Sequence, residues 1–187
     1  MNRREWTRRL LGAAALADVA RAQGPVPRPS PEFTFALADG KKVSLSQYRG
    51  KVVALTFLSS TCSHCQKMTQ ILNGIQNQFG PRGAQVLAAI FNENASSLLP
   101  AYLRQYGPAY PLGHSSPDAV YGYLQLSFMR NFFVPMMAFV DRGGVIRAQY
   151  TGNDSFLRSN EDANVREMLE SLLKEPGDRR SSSPKKS

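Results

Sequence analysis

Cys62 and Cys65 are the two cysteines of a 187-residue chain, and they lie three positions apart within Ser60-Thr61-Cys62-Ser63-His64-Cys65-Gln66. That spacing can hold a disulfide, a pair of metal ligands or a haem tether. A c-type haem needs histidine directly after the second cysteine, and residue 66 is Gln, so haem is excluded. Structural zinc takes four ligands, usually in two pairs; no second pair of Cys or His exists, and His64 is too constrained between its cysteines to complete a site. No metal is therefore assigned. Two alternatives stay open beside disulfide exchange. Two thiolates with the distant His114 would suit a soft metal such as copper, as in a copper-delivery protein. A hydroxyl from Ser60 or Thr61, with Arg130 as a cation, would suit a thiol peroxidase.

The residues on either side decide what the sulfurs feel. Val52-Val53-Ala54-Leu55-Thr56-Phe57-Leu58 is an almost unbroken apolar run, the pattern of a strand covered on both faces. Beyond the cysteines, Met68, Ile71, Leu72, Ile75 and Phe79 share one stripe of a helix that Gly80-Pro81 ends. Cys62 is thus expected at a strand-to-helix junction, where free N–H groups favour a thiolate as they favour any anion. It is the expected nucleophile. Cys65 sits one turn further along the same face, with its backbone bonded within the helix, and suits the resolution of a mixed disulfide. Ser63 and His64 are the candidates for tuning the pair. A protonated His64 would stabilise the thiolate and make the disulfide a stronger oxidant; otherwise it is an exposed loop histidine.

The other elements follow from the same periodicities. Strands are expected over Phe33–Leu37 and Gln85–Phe91, an extended piece near Tyr110–Leu112, and a hairpin of Met136–Val140 and Val145–Tyr150 around Asp141-Arg142-Gly143-Gly144. Helices are expected from about Ser96 to Tyr106 and from Pro117 to Leu124. A last helix, capped by Ser159 with Asp162, carries Val165, Met168, Leu169, Leu172 and Leu173 on one face. An early βαβ unit followed by a hairpin and a helix argues for an α/β fold, one mixed sheet with helices on both sides.

The formal net charge is +9, and the two ends carry most of it: residues 1–22 contribute +3 and 179–187 contribute +4, leaving +2 between. No basic stripe interleaved with aromatics runs through the middle, which argues against nucleic-acid binding. Residues 1–22 read as an export signal. Arg3, Arg4, Arg8 and Arg9 precede a short apolar run and the small-x-small pattern Ala20-Arg21-Ala22, and Thr7-Arg8-Arg9-Leu10-Leu11 resembles a twin-arginine motif. That run is too short to span a bilayer. Residues 23–32 read as a Pro-rich linker, 33–175 as the folded domain and 176–187 as a disordered basic tail. Export would place the chain in the periplasm or another oxidising compartment, where a disulfide persists.

Three segments resemble the thioredoxin superfamily, and most of all its exported TlpA/ResA-type thiol-disulfide oxidoreductases. They are Val52 to Phe57 leading to Cys62-Ser63-His64-Cys65, Val134-Pro135-Met136-Met137-Ala138-Phe139-Val140-Asp141-Arg142-Gly143-Gly144, and Phe33 to Gly40 with Val43 to Val53. The resemblance implies a three-layer thioredoxin-like fold with an extra N-terminal strand segment. It implies a redox-active Cys62–Cys65 disulfide with no further cofactor, and a monomer that exchanges with protein thiols or disulfides and an upstream redox partner. It also implies a cis Val134–Pro135 bond facing the sulfurs, with the Val134 backbone pairing with a client and the Pro135 ring keeping metal ions away. The chain departs from that pattern at Thr61, where an aromatic is usual, at Thr56, where some relatives carry a buried acid, and at Met68, where others carry glutamate. The group that handles the proton of Cys65 is thereby left unassigned; Glu93 is a substitute or a plain surface carboxylate.

Overall fold

The computed structural model describes residues 24–127 and 131–175. The expected export signal, the basic tail and Arg130 lie outside the described residues. Within them the strands are Arg28–Pro29 (β1), Thr34–Ala36 (β2), Lys42–Ser44 (β3), Val52–Leu58 (β4), Ala84–Ile90 (β5), Leu112–His114 (β6), Met136–Val140 (β7) and Val145–Tyr150 (β8). The helices are Ser63–Phe79 (α1), Ala95–Tyr106 (α2), Pro117–Leu124 (α3), Ser155–Arg158 (α4) and Glu161–Lys174 (α5).

All eight strands join one sheet in the order β1-β8-β7-β4-β5-β6-β2-β3. Its centre is the apolar pair β4 and β5, parallel in register from Val52↔Ala84 to Leu58↔Ile90, with α1 as the crossover between them. A strand in that position is covered on both faces, and all seven residues of β4 are buried. Ala54 and Leu58 pack on one side with Met68, Leu72, Ile75 and Phe79 of α1, Leu99 of α2 and Val165, Leu169 and Leu172 of α5. Val53, Leu55 and Phe57 pack on the other with Val120, Tyr123 and Leu124 of α3 and with Phe33, Phe35 and Val43 of the N-terminal hairpin. These two cores make the three layers of a thioredoxin-like α/β fold, and the extra N-terminal segment is the β2–β3 hairpin added beyond β6.

Two local expectations are corrected. The Pro-rich stretch is not a free linker: Arg28 and Pro29 pair antiparallel with Ile146 and Val145 at the far edge of the sheet. The buried guanidinium of Arg28 donates to the carbonyls of Pro25 and Tyr123 and to Gln149 Oε1, which anchors the segment. The last helix is not capped by Ser159 and Asp162. Ser159 closes the short helix α4, Asp162 accepts from Arg166 one turn on, and the N-cap of α5 is Asn160, in the left-handed region at φ 56°. Asn tolerates that conformation better than other non-glycine residues.

Candidate functional site: a dithiol at a strand–helix junction

β4 delivers the chain to residues 59–62, and α1 carries it away. The turn is held by Asn92, whose Oδ1 accepts from Ser60 N–H at 2.8 Å, and by Gln66, whose Nε2 donates to the Ser60 carbonyl at 3.0 Å. Cys62 is the N-cap of α1 with an extended backbone (φ −87°, ψ 115°), and its sulfur takes the place that a Ser or Asp oxygen usually fills. The Cys65 N–H donates to Cys62 Sγ at 3.2 Å. It is one of the N–H groups that the helix start leaves without a backbone partner, and it ends on the sulfur. Cys62 is partly exposed, whereas Cys65 is wholly buried against the α1 core, and both are free thiols.

Burial raises the Cys65 thiol well above its ordinary value of 9.0, and the bond to the Cys62 sulfur adds to the effect. A proton kept by the folded chain and lost by the unfolded one makes stability fall with pH. The reduced protein is therefore expected to hold its stability below about pH 9 and to lose it above, by up to ~1.4 kcal/mol per pH unit. The disulfide form has no such thiol and lacks that component. Chemical denaturation of both forms across this range measures the difference.

Beneath Cys65 lies a polar cluster that composition and spacing did not reveal. Thr69 Oγ1 donates to the Cys65 carbonyl at 3.0 Å and lies 2.7 Å from the Tyr102 hydroxyl, which in turn reaches the same carbonyl at 3.4 Å. The Tyr110 hydroxyl donates to the Thr69 carbonyl at 3.3 Å. Burial pushes the Tyr102 phenol up to about 12, so it stays neutral and serves as a hydrogen-bonding group. The cluster ties α2 to the first turns of α1. Thr69→Val is expected to cost about 1–2 kcal/mol in denaturant titrations, because it strips a buried phenol of one partner.

Facing the dithiol is the start of β7. The Val134–Pro135 peptide bond is cis, Pro135 is buried, and Cys62 Sγ lies 4.0 Å from the Val134 carbonyl. The other expected residues are spread more widely. Ser63 is exposed at the first position of α1. His64 is half-buried, its Nε2 3.9 Å from Glu161 Oε1 at the start of α5. Glu93 is exposed in the turn between β5 and α2. Thr56, on the α1 face of β4, is buried with an unpartnered Oγ1. His114 ends β6, paired with Ile90 and Ala36, and among the described residues no group of three or more His, Cys, Asp or Glu could hold a metal ion. Glu161 itself escaped sequence reading, although a signal was there. It precedes Val165, Leu169 and Leu172 at helical spacing, an acid on an apolar stripe.

A cap cysteine with a buried partner behind it, set in a mixed sheet covered on both faces, fits the thioredoxin superfamily, TlpA/ResA type. A family profile described as Redoxin matches residues 25–169, and the chain belongs to that family. It is 23% identical over 158 residues to the thiol-disulfide oxidoreductase ResA of Bacillus thuringiensis (strain Al Hakam), covering 84% of this chain and 81% of that protein. It is 30% identical over 94 residues to the SCO1 protein homolog of Bacillus subtilis (strain 168), covering 50% of this chain and 49% of that one. Among solved structures it is similar to a thiol:disulfide interchange protein of the thioredoxin family from Chlorobium tepidum TLS. That match has a TM-score of 0.64 at 22% identity, covering 80% and 99% of the two chains. No helix among the described residues is long and apolar enough to cross a membrane.

Proposed function

We propose that the chain is a thiol-disulfide oxidoreductase that exchanges disulfides with protein cysteines in an extracytoplasmic compartment through Cys62 and Cys65. The observation that carries this reading is the asymmetry of the pair: an accessible sulfur receives an N–H bond from the residue that holds the buried one. In the reducing direction the Cys62 thiolate attacks a client disulfide, the client S–S bond breaks, and the leaving client sulfur takes up a proton. Cys65 then gives up its proton and attacks Cys62 of the mixed disulfide. That step releases the second client thiol and leaves Cys62–Cys65 oxidised, two electrons having passed to the client. Run backwards, the same steps oxidise a client. An upstream thiol or disulfide partner resets the pair, and no further cofactor is required.

The similarity to a protein named ResA over most of both chains supports this reading. Export, by the twin-arginine motif at Thr7 to Leu11, is part of the same proposal. Equilibration with glutathione buffers tests it: the two thiols are expected to oxidise together, as one two-electron couple. A potential near −120 mV marks an oxidant of clients and one near −270 mV a reductant. Failure of the thiols to pair removes the reading. The SCO1 match motivates a second, copper-delivery reading. It predicts stoichiometric Cu(I) binding that is lost in His114→Ala, and an anaerobic titration decides it.

A further inference from the structure

Glu161 is an acid where the fold expects an apolar residue. It opens α5, on the stripe that continues through the buried Val165, Leu169 and Leu172, and it is 7% exposed. The left-handed backbone at Asn160 sets the direction in which the helix starts. Its Oε1 lies 2.7 Å from Lys67 Nζ and 3.9 Å from His64 Nε2, two groups one turn apart on α1. Lysine would be solvated without help, since its side chain is 66% exposed. The bond to Lys67 and Glu161's own N–H hold the carboxyl below its ordinary range, so it is charged throughout the working pH of a disulfide exchanger. A fixed negative charge thus stands beside the residue that separates the two cysteines.

We infer that Glu161 is a positioning residue for the dithiol: its carboxylate holds the His64 imidazole at the first turn of α1, and so sets the preference of Cys62 and Cys65 for the reduced state. The inference rests on the exchange reading above. At 3.9 Å the contact is longer than a hydrogen bond, so the coupling is Coulombic. The titratable groups nearest His64 along the chain are Cys62, Cys65 and Lys67, and α5 adds Glu161 against the imidazole. Exchange proceeds through a thiolate at Cys62, which carries one more negative charge than the disulfide, and positive charge on residue 64, between the two cysteines in sequence, stabilises that extra charge. Lys67 sits against the same oxygen, and comparing the two His64 backgrounds separates the effect transmitted through the imidazole from any direct one.

The experiment is the glutathione equilibrium of the full chain near pH 7, for the wild type, Glu161→Gln, His64→Asn and the double variant. For a Coulombic contact of this length, Glu161→Gln is expected to move the equilibrium about two- to fivefold toward the disulfide, that is ~9 to ~21 mV more negative. The shift is expected to vanish in the His64→Asn background, as a double-mutant cycle requires of a path through that residue. An equal shift in both backgrounds overturns the inference, and so does no shift in either. Loss of thermal stability without a change in potential also overturns it, since that is the mark of a merely structural clamp. Should Glu161→Gln fail to fold, Glu161→Asp keeps the charge but withdraws it from the imidazole, and a smaller shift of the same sign is expected. If the wild-type thiols form no intramolecular disulfide, the exchange reading fails and not this inference alone.

Discussion

Cys62→Ser is expected to abolish disulfide exchange while the fold survives, and Cys65→Ser to arrest the reaction halfway. Serine is a good N-cap, so the first change keeps the bond from the Cys65 N–H that now ends on sulfur, and helix α1 should start where it does. What disappears is the nucleophile. Activity falls to background, a loss on the order of 10³-fold or more, as in other enzymes stripped of their nucleophile. The second variant leaves the accessible sulfur intact and removes the one that would release it. A client disulfide then forms a mixed disulfide with Cys62 that persists, visible as a single adduct on a non-reducing gel and located at Cys62 by mass spectrometry. Burying a serine hydroxyl at position 65 is expected to cost about 1–3 kcal/mol, a loss a domain of this size can absorb. Should Cys65→Ser trap no adduct, or should Cys62→Ser form one at Cys65 and remain active, the roles assigned from exposure are reversed.

The parts of this site that are local in sequence were legible there. A continuous apolar run such as Val52–Leu58 has few places to go other than the middle of a sheet, and a 3.6-residue stripe after it forces a helix. Together they put Cys62 at the junction before any coordinate is known. The parts that were not legible depend on pairs far apart along the chain. Four prolines near residue 28 read as a linker because proline punctuates. What overrides them is the Arg28 guanidinium finding partners 95 and 121 residues away, at the Tyr123 carbonyl and Gln149. The hydroxyl cluster under Cys65 unites Thr69, Tyr102 and Tyr110 from α1, α2 and the loop before β6, and no spacing rule connects them. Glu161 was hidden for a different reason. Asn160 and Glu161 stand at the helix start, where an acid normally serves the exposed first turn, so residue type alone does not mark Glu161 as part of the buried stripe.

Gly152→Ala is expected to lower kcat/KM for client disulfides by about 10- to 100-fold although residue 152 touches neither sulfur. The turn that follows β8 passes so close to residues 133 and 134 that a Cβ at Gly152 would lie 2.8 Å from the carbonyl oxygens of both Phe133 and Val134. Those are backbone atoms, so the conflict cannot be relieved by a side-chain rotation. The same approach makes the bonds that fix the segment: Gly152 N–H donates to the Phe133 carbonyl at 2.6 Å, and Asn153 Oδ1 accepts from Phe133 N–H at 2.9 Å. An alanine must push the 133–134 segment outward, and the Val134 carbonyl, 4.0 Å from Cys62 Sγ, moves with it. A displacement of about 1 Å at a surface that orients a reacting group can cost on the order of 10²-fold, because the attack has to be in line along the scissile S–S bond. The dithiol itself is untouched, so alkylation of Cys62 by a small reagent should proceed at nearly the wild-type rate while exchange with a protein disulfide slows. If both rates fall together the change has reached the helix start, and if neither falls the 133–134 segment does not position the client.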